Sequence, residues 1–335
     1  MQSVEYRLLA PYQLALEEIS IEWPPKKAPK ILCKTKYSGI SPGTEVAAWS
    51  GQKRLRPSGG YPRKVGYQNI SEIIEISEEV QGFNVGDLIY TNQGHISRFS
   101  CDPAEILAVL PSDYEVKKYL FAYMYHLGLC ALSTGANFQE MKSNISIFGG
   151  GVLGVAVAEL AEYLGFSSTL VTDVEKNSSL NKIRCTSVSR ENFRTNYLRS
   201  DTEFQQCIVT TNSWDDYNLG LSTLGHRGSM TLLGFPGRDG ALPITNPFSP
   251  ELFYVNNLSI FSTPSLRNDL FNSRNETLSL GDSITEIVSR ISNGELGHTF
   301  DDVEIYSYLE LATLYGDIEF RRITAPTAGI DWSIV

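Results

Sequence analysis

The sequence has little of what metal clusters, disulfide frameworks and membrane spans require. It contains five cysteines and four histidines, and no two cysteines form a CxxC pair. An odd number of scattered cysteines is typical of free thiols in a reducing cytoplasm. No apolar run reaches the roughly 18 to 20 residues that span a bilayer. The first residues also lack a cationic region followed by an apolar run, so we expect no secretory signal and a cytoplasmic protein.

Basic residues are scarce relative to acidic ones. The chain has 28 Lys and Arg against 38 Asp and Glu, a formal net charge of −10. Nucleic acids and anionic membranes are bound by basic patches, so the charge argues against both as partners and favours a small-molecule substrate. The length of 335 residues suggests about two domains.

The first third of the chain is rich in predicted β-structure. Residues 31–37 and 70–76 alternate as strands do, and Gly86-Asp87 supplies a turn before another strand. These short strands predict a small, partly open barrel.

From about Asp113 the pattern changes to alternating helices and strands. Helices are predicted at 115–132, 152–164 and about 216–224. Strands are predicted at 144–148, 168–172, 207–211, 229–234 and 258–262. Such alternation is typical of an α/β domain with a doubly wound parallel sheet.

A glycine-rich turn joins the strand at 144–148 to the helix that follows it, with the sequence Gly149-Gly150-Gly151-Val152-Leu153-Gly154. Gly149 allows a tight turn, Gly151 leaves room for a pyrophosphate, and Gly154 lets helix and strand pack closely. The helix N-terminus attracts phosphates. This context predicts a dinucleotide site; the alternative is a purely structural glycine turn. The candidate contacts are Gly149, Gly151, Val152, Leu153 and Gly154.

An acidic residue, Asp173, follows the next strand. A carboxylate there accepts hydrogen bonds from the adenine ribose and repels a 2′-phosphate, which favours NAD over NADP. Lys176 weakens the argument for NAD, because a nearby cation could bind the phosphate of NADP, although it could equally reach a ribose hydroxyl. Later strand ends either hold the nicotinamide half through main-chain groups or are ordinary loops; they contain Thr210, Thr211, Asn212, Gly234 and Phe235.

The order of these parts resembles the medium-chain dehydrogenase/reductase superfamily. The resemblance rests on residues 39–45 (GISPGTE), the turn at 85–87, the fingerprint at 149–154 and the strand at 227–234. It implies a GroES-like β-barrel catalytic domain at residues 1–132, a Rossmann NAD-binding domain at 133–264, and a return to the catalytic domain at 265–335. It also implies a homodimer or homotetramer.

The chain departs from the zinc-using members of that superfamily. Ser41 stands where those members carry a thiolate, and residues 66–68 read Gly-Tyr-Gln in place of Gly-His-Glu. The region 123–130 has no acidic third ligand, and the four-cysteine zinc lobe is missing. Zinc requires Cys, His or carboxylate ligands, so we expect no metal. Residues 38–45 are most similar to a zinc-less branch that includes the hydroxyethyl bacteriochlorophyllide dehydrogenase type.

Without zinc, hydrogen-bond donors must stabilise charge on the reacting oxygen. The resemblance places Thr44 at the family's substrate-contacting hydroxyl. Tyr67, in the former ligand position, is a candidate donor, and Ser41 is a weaker one. The alternatives are that Thr44 caps the next helix, that Tyr67 is a core aromatic, and that Glu45 only supports the turn.

For three further features, the sequence allows two interpretations each. His126 is a core residue or a proton relay, and Arg321-Arg322 reaches the pyrophosphate or forms a surface ion pair. The loop that carries Lys53, Arg54 and Arg56 is solvated or meets an anionic substrate.

Together these features predict a zinc-independent, NAD(H)-dependent oxidoreductase that acts on a secondary alcohol or its ketone, such as a polyol or sugar. Two alternatives remain open. One is a zinc-less, NADPH-dependent enoyl or quinone reductase, and the other is a dinucleotide-binding protein without catalysis.

Overall fold

The computed structural model describes residues 1–23, 30–52, 60–112, 115–135, 144–173, 178–198, 203–238, 240–262, 270–271, 277–323 and 325–335. The chain divides into two compact units. We call Met1–Tyr123 with Gly281–Val335 the terminal unit and Met124–Leu280 the central unit. The boundary expected at 132/133 lies inside a helix, and the one expected at 264/265 lies outside the described residues.

The strands of the described residues are, in chain order, β1 (Gln2–Ala10), β2 (Gln13–Ser20), β3 (Ile31–Gly39), β4 (Arg63–Lys64), β5 (Asn69–Ile76), β6 (Leu88–Thr91), β7 (Arg98–Cys101), β8 (Ile106–Val109), β9 (Asn144–Phe148), β10 (Ser167–Val171), β11 (Thr186–Val188), β12 (Phe204–Val209), β13 (Leu224–Leu232), β14 (Ser259–Ser262), β15 (Leu270–Phe271), β16 (Thr277–Leu278), β17 (Ile305–Ser307) and β18 (Gly329–Asp331).

The α-helices are α1 (Glu45–Trp49), α2 (Ala122–Gly135), α3 (Val152–Tyr163), α4 (Arg190–Tyr197), α5 (Trp214–Leu221), α6 (Pro250–Asn256), α7 (Leu280–Ser292) and α8 (Leu311–Glu319). Short 3-10 helices lie at Pro103–Glu105, Val116–Tyr119, Ser178–Lys182, His298–Phe300 and Tyr308–Glu310.

The terminal unit is built mainly from antiparallel strands. One sheet runs β17-β18-β3-β5-β6-β8, with β7 paired to β3, and a second runs β2-β1-β4. Buried side chains of β1 and β18 pack with those of α1 and α8 in one core, and β3, β5, β6 and β7 form another. The predicted strands at 31–37 and 70–76 are confirmed as β3 and β5.

The central unit is organised around a parallel sheet of order β11-β10-β9-β12-β13-β14. β9 and β12 are almost entirely buried, as apolar runs in a parallel sheet should be. The order reverses between β9 and β12, and ligands of doubly wound sheets bind at the carboxyl ends of the strands beside such a reversal. The predicted α/β, doubly wound sheet is confirmed.

The turn between β9 and α3 has no room for side chains at Gly149, Gly150 and Gly154; a Cβ on Gly150 would lie 2.5 Å from Thr172 Oγ1. Gly149 has φ +111°, and a Cβ on it would lie 2.5 Å from Thr210 Oγ1. A Cβ on Gly154 would lie only 1.7 Å from the carbonyl oxygen of Gly149, whereas a Cβ on Gly151 would meet nothing within 4 Å. The turn is therefore closed on its inner side and open at Gly151.

Several predicted helix and strand ends are wrong by a few residues. The helix expected from Glu115 is a 3-10 helix at Val116–Tyr119 followed by α2. The described residues of α2 are buried on almost every side, so the spacing of apolar residues does not show where the α-helix starts. The helix expected from about Asp216 begins at Trp214, because the Ser213 side chain accepts the amide of Asp216 as a cap. Its predicted end at Leu224 is the first residue of β13.

Two further observations concern the membrane and the thiols. Among the described helices, none is both long and apolar enough to cross a membrane. All five cysteines are free, and four of them are buried, as expected for thiols that serve as small core residues.

The glycine turn generates the first testable prediction. We expect Gly154→Ala to lower the free energy of unfolding by at least about 3 kcal/mol, because the new methyl group collides with a backbone carbonyl that cannot move away. The matched control is Gly151→Ala, which meets open space at φ −81° and should cost about 1 kcal/mol or less. Urea unfolding of both variants measures the difference; equal losses would contradict this account of the turn.

Candidate functional site

Three hydroxyl groups meet in the terminal unit where β3 runs into α1. The turn Ser41–Thr44 closes through the amides of Thr44 and Glu45, which both donate to the Ser41 carbonyl. The Tyr67 hydroxyl donates to Ser41 Oγ at 2.5 Å and also interacts with the Thr44 side chain. The three side chains that the sequence suggested as catalytic candidates therefore lie together.

Gly66 places Tyr67 in this cluster. It has φ +86°, and a Cβ on it would lie 2.9 Å from the backbone nitrogen of His95. Only glycine allows the loop before β5 to turn this closely against His95. The Tyr67 ring then packs edge-on against Tyr123, with ring centroids 5.3 Å apart. Tyr67 is half-buried and lies in a loop, so it is not the core strand aromatic that the alternative interpretation required.

The Tyr67 hydroxyl keeps its proton over the whole physiological pH range. Burial of the phenol, helped by the nearby charge of Glu45, raises the pKa of Tyr67 to about 12, although hydrogen bonds with Ser41 and Thr44 oppose the rise. A phenol with this pKa is a hydrogen-bond donor and a poor base at neutral pH.

Thr44 occupies the N-cap position of α1, but its side chain makes no capping hydrogen bond. The capping role that the sequence left open is therefore not what this hydroxyl does. Its observed contact is with Tyr67.

Glu45 holds the turn from below through a buried carboxylate. Its side chain is 3% exposed. Glu45 Oε1 accepts the Ser41 amide at 2.7 Å, and Oε2 accepts the Tyr315 hydroxyl at 2.6 Å and pairs with His95 Nε2 at 2.7 Å. The interpretation of Glu45 as a structural partner of the turn agrees with these contacts.

His95 extends this network to Ser38 and Trp332. Its Nδ1 lies 2.7 Å from Ser38 Oγ, which accepts the Trp332 indole N–H at 2.8 Å. Ser38 and His95 thus connect the Trp332 indole to the Glu45 carboxylate through three consecutive hydrogen bonds. Residues far apart in the chain thus fix the carboxylate beneath Ser41 and Thr44.

In the central unit, Asp173 follows β10 at the carboxyl edge of the sheet and is exposed. Its Oδ1 accepts the backbone amide of Arg190 at 2.9 Å, and its Oδ2 accepts Arg190 Nη1 at 2.5 Å. These hydrogen bonds, first the backbone one and then that of the guanidinium, lower the pKa of Asp173. Asp173 is therefore ionised at neutral pH. Lys176, the other charged candidate at this edge, lies outside the described residues.

Arg190 also contacts a second carboxylate that the sequence reasoning missed. Its Nε and Nη2 donate to the two oxygens of Asp216, at 2.5 and 2.8 Å, and Asp216 is fully buried. The Thr211 hydroxyl donates to Asp216 Oδ2 at 2.6 Å. A buried charge requires a partner, but no sequence motif identifies Arg190 as that partner.

The strand-end candidates are held by internal hydrogen bonds. Thr210 Oγ1 donates to the Phe148 carbonyl at 2.8 Å, and Asn212 Oδ1 accepts the amide of Phe235 at 3.0 Å. A Cβ on Gly234 would lie 2.0 Å from the Thr211 carbonyl oxygen. These residues shape the carboxyl edge of β12 and β13, and their side-chain oxygens are engaged within the unit.

The remaining candidate residues from the sequence do not belong to either of these two clusters. Arg322 pairs with Asp317 at 3.2 Å, in agreement with the surface ion pair. His126 is buried on α2, with Nε2 3.7 Å from Cys130 Sγ, in agreement with a core residue. The loop with Lys53, Arg54 and Arg56 lies outside the described residues.

The hydroxyl cluster does not have the composition of a zinc site. Zinc binds thiolates, imidazoles and carboxylates, whereas Ser41, Thr44 and Tyr67 offer neutral hydroxyls. Within the described part of the chain, no group of three or more His, Cys, Asp or Glu residues could hold a metal ion.

Comparison with known proteins identifies the fold. No family model matches the chain. L-Threonine 3-dehydrogenase of Burkholderia mallei (strain SAVP1) is 24% identical over 249 residues, which are 63% of this chain and 71% of that protein. The match to L-idonate 5-dehydrogenase from Escherichia coli K-12 has a TM-score of 0.80 at 14% identity, covering 99% of this chain and 98% of that one.

A third structure is an alcohol dehydrogenase from Escherichia coli CFT073, complexed with its cofactor NADH. It matches with a TM-score of 0.76 at 12% identity, over 98% of this chain and 99% of that one. The chain has the fold of these dehydrogenases, in agreement with the predicted architecture of a doubly wound parallel sheet and a second, mainly antiparallel part. All three of these proteins are named dehydrogenases.

The buried histidine of α2 generates a pH prediction. Burial lowers the pKa of His126 from 6.5 to about 4, so the unfolded chain binds this proton more tightly than the folded one. The contribution of His126 to stability is complete above pH 6.5 and is lost as the pH falls toward 4. We expect it to reduce the free energy of unfolding by about 2 kcal/mol at pH 5.

Urea unfolding at pH 7 and pH 5 measures this effect. The loss between the two pH values should shrink by about 2 kcal/mol in His126→Gln and stay unchanged in His298→Gln, whose side chain is 52% exposed. If the two variants behave alike, the assignment of a buried neutral imidazole is wrong.

Proposed function

We propose that this chain, which has the fold of the medium-chain dehydrogenases, is a zinc-independent oxidoreductase that moves hydride between NAD(H) and a secondary alcohol or its ketone. The observation that carries the proposal is the meeting of Ser41, Thr44 and Tyr67, with Tyr67 protonated and directed at Ser41 Oγ. The resemblance places Ser41 and Tyr67 where zinc-using members hold their metal.

The central unit would hold the cofactor. Gly151 is the exposed N-cap of α3, and a Cβ added there would meet nothing within 4 Å. That opening at a helix N-terminus fits a pyrophosphate, which the first N–H groups of α3, at Val152 and Leu153, would bind. Ionised Asp173 would accept the adenine-ribose hydroxyls. The bound nicotinamide supplies or accepts the hydride.

The terminal unit would act on the oxygen of the substrate. Thr44 and Tyr67 would donate hydrogen bonds to that oxygen, and such preorganised donors are worth about 3 kcal/mol each to a transition state. Because the pKa of Tyr67 is about 12, Tyr67 is protonated and suited to support the developing negative charge on the oxygen. In the resting state, Ser41 Oγ would accept a hydrogen bond from the Tyr67 hydroxyl and so orient that hydroxyl.

The same residues do not fit zinc. Their oxygens are neutral hydroxyls, and Tyr67 would have to lose a proton against a pKa of about 12 to become an anionic ligand. The residues therefore favour hydrogen bonding in the role that a Lewis acid plays elsewhere.

We also propose that copies of the chain associate as a homodimer or homotetramer. Among the described residues, β14 is one of the two edge strands of the parallel sheet, and edge strands invite pairing. The segment before β14 exposes large apolar side chains, which favours a protein contact over solvent; they are Leu242, Ile244, Phe248 and Tyr254.

The hydroxyl cluster generates a kinetic prediction. We expect Tyr67→Phe to lower kcat for NADH-linked ketone reduction about 100-fold, since it removes one preorganised donor, with little change in the Kd of NADH. The matched control is Tyr12→Phe in the same unit, where the ring is 57% exposed; kcat should not change.

The measurement uses a panel of secondary alcohols, polyols and ketones. Ketones are tested with NADH and NADPH, and alcohols with the oxidised forms of the same cofactors. Full activity of Tyr67→Phe would contradict the catalytic role. Hydride transfer only to activated C=C bonds, with NADPH, would favour the enoyl or quinone reductase alternative. Binding of NADH with no turnover on any substrate would favour a dinucleotide-binding protein without catalysis.

A further inference from the structure

One guanidinium in the central unit joins two carboxylates of very different exposure. Arg190 is the first residue of α4, directly after its N-cap Ser189. Its side chain is 28% exposed, while those of its partners Asp173 and Asp216 are 51% and 0% exposed. Arg190 thus reaches from a buried anchor to the surface at the carboxyl edge of the sheet.

The anchor is the stronger of the two contacts. Asp216 receives two parallel N–H groups of Arg190 and the hydroxyl of Thr211, and such two-pronged pairs are both strong and directional. Removing one partner of a buried ion pair leaves an uncompensated charge in the interior, which is strongly unfavourable. Arg190 is therefore fixed in place whether or not Asp173 remains bound to it.

Asp173 is held more loosely and is half in solvent. It accepts one N–H of the guanidinium, at Nη1, and the backbone amide of the same residue. A carboxylate has about four acceptor sites, so two are left for ribose hydroxyls. The Arg190 charge beside it reduces the repulsion that Asp173 alone would exert on a phosphate.

We propose that Arg190 is a specificity-determining residue of the dinucleotide site: Asp173 occupies its Nη1 group and so selects NAD(H), and without Asp173 the anchored guanidinium binds the 2′-phosphate of NADP(H). This inference rests on the proposed function, because it assumes that a dinucleotide binds at this edge. It adds that the preference for NAD(H) depends on the linked side chains of Asp173, Arg190 and Asp216, and not on Asp173 alone.

The test is an equilibrium titration of NADH and NADPH, followed by nicotinamide fluorescence. In Asp173→Asn we expect NADH to bind roughly tenfold more weakly and NADPH roughly tenfold more tightly than in the wild type, as for one charge-assisted hydrogen bond lost and one gained. Adding Arg190→Gln with Asp216→Asn should abolish the gain for NADPH. The two changes are made together so that no buried carboxylate is left unpaired.

The matched control is Asp173→Asn with Arg184→Gln, which removes a 93% exposed arginine of the same unit and should keep the full gain for NADPH. Urea unfolding of each variant confirms that it is folded. If the triple variant binds NADPH as tightly as Asp173→Asn does, the role of Arg190 is wrong while the proposed function stands. If neither dinucleotide binds the wild type, the proposed function and this inference both fall.

Discussion

The contact between Gly154 and the carbonyl of Gly149 sets the shape of the central unit. No side chain fits there, so α3 starts directly against the end of β9. The start of α3 therefore lies at the edge where the strand order reverses between β9 and β12. A compact turn inside thus creates an open, electropositive position outside, and the proposed cofactor site depends on that geometry.

Each unit then uses a buried carboxylate to hold its polar residues in position. Glu45, 3% exposed, fixes the turn that carries Ser41 and Thr44, while Asp216, 0% exposed, fixes Arg190. Both carboxylates have several donors, as buried charges require. In each case the buried carboxylate holds a residue of the proposed site, Ser41 in one unit and Arg190 in the other, so the groups that would meet a ligand need little reordering on binding.

Much of this architecture could be predicted from local sequence. Local sequence predicts the strand β9, the glycine turn and the helix α3 one after another. Residues 39–45 likewise indicate the turn that carries Ser41 and Thr44. The partners could not be predicted, because His95, Tyr315 and Trp332 reach Glu45 and Ser38 only through the tertiary fold. Arg190 likewise has no motif; one of its carboxylates follows β10 and the other lies in α5.

The central claim is that hydroxyl groups perform the role of a metal in an NAD(H)-linked reaction on an alcohol or ketone. The most direct measurement is turnover of the purified chain with NADH before and after removal of metal ions by a chelator, with zinc content determined by mass spectrometry. The account predicts unchanged turnover and less than one zinc per ten chains, a threshold on the order of trace contamination for an absent site. Loss of turnover on chelation, restored by one zinc per chain, would contradict it.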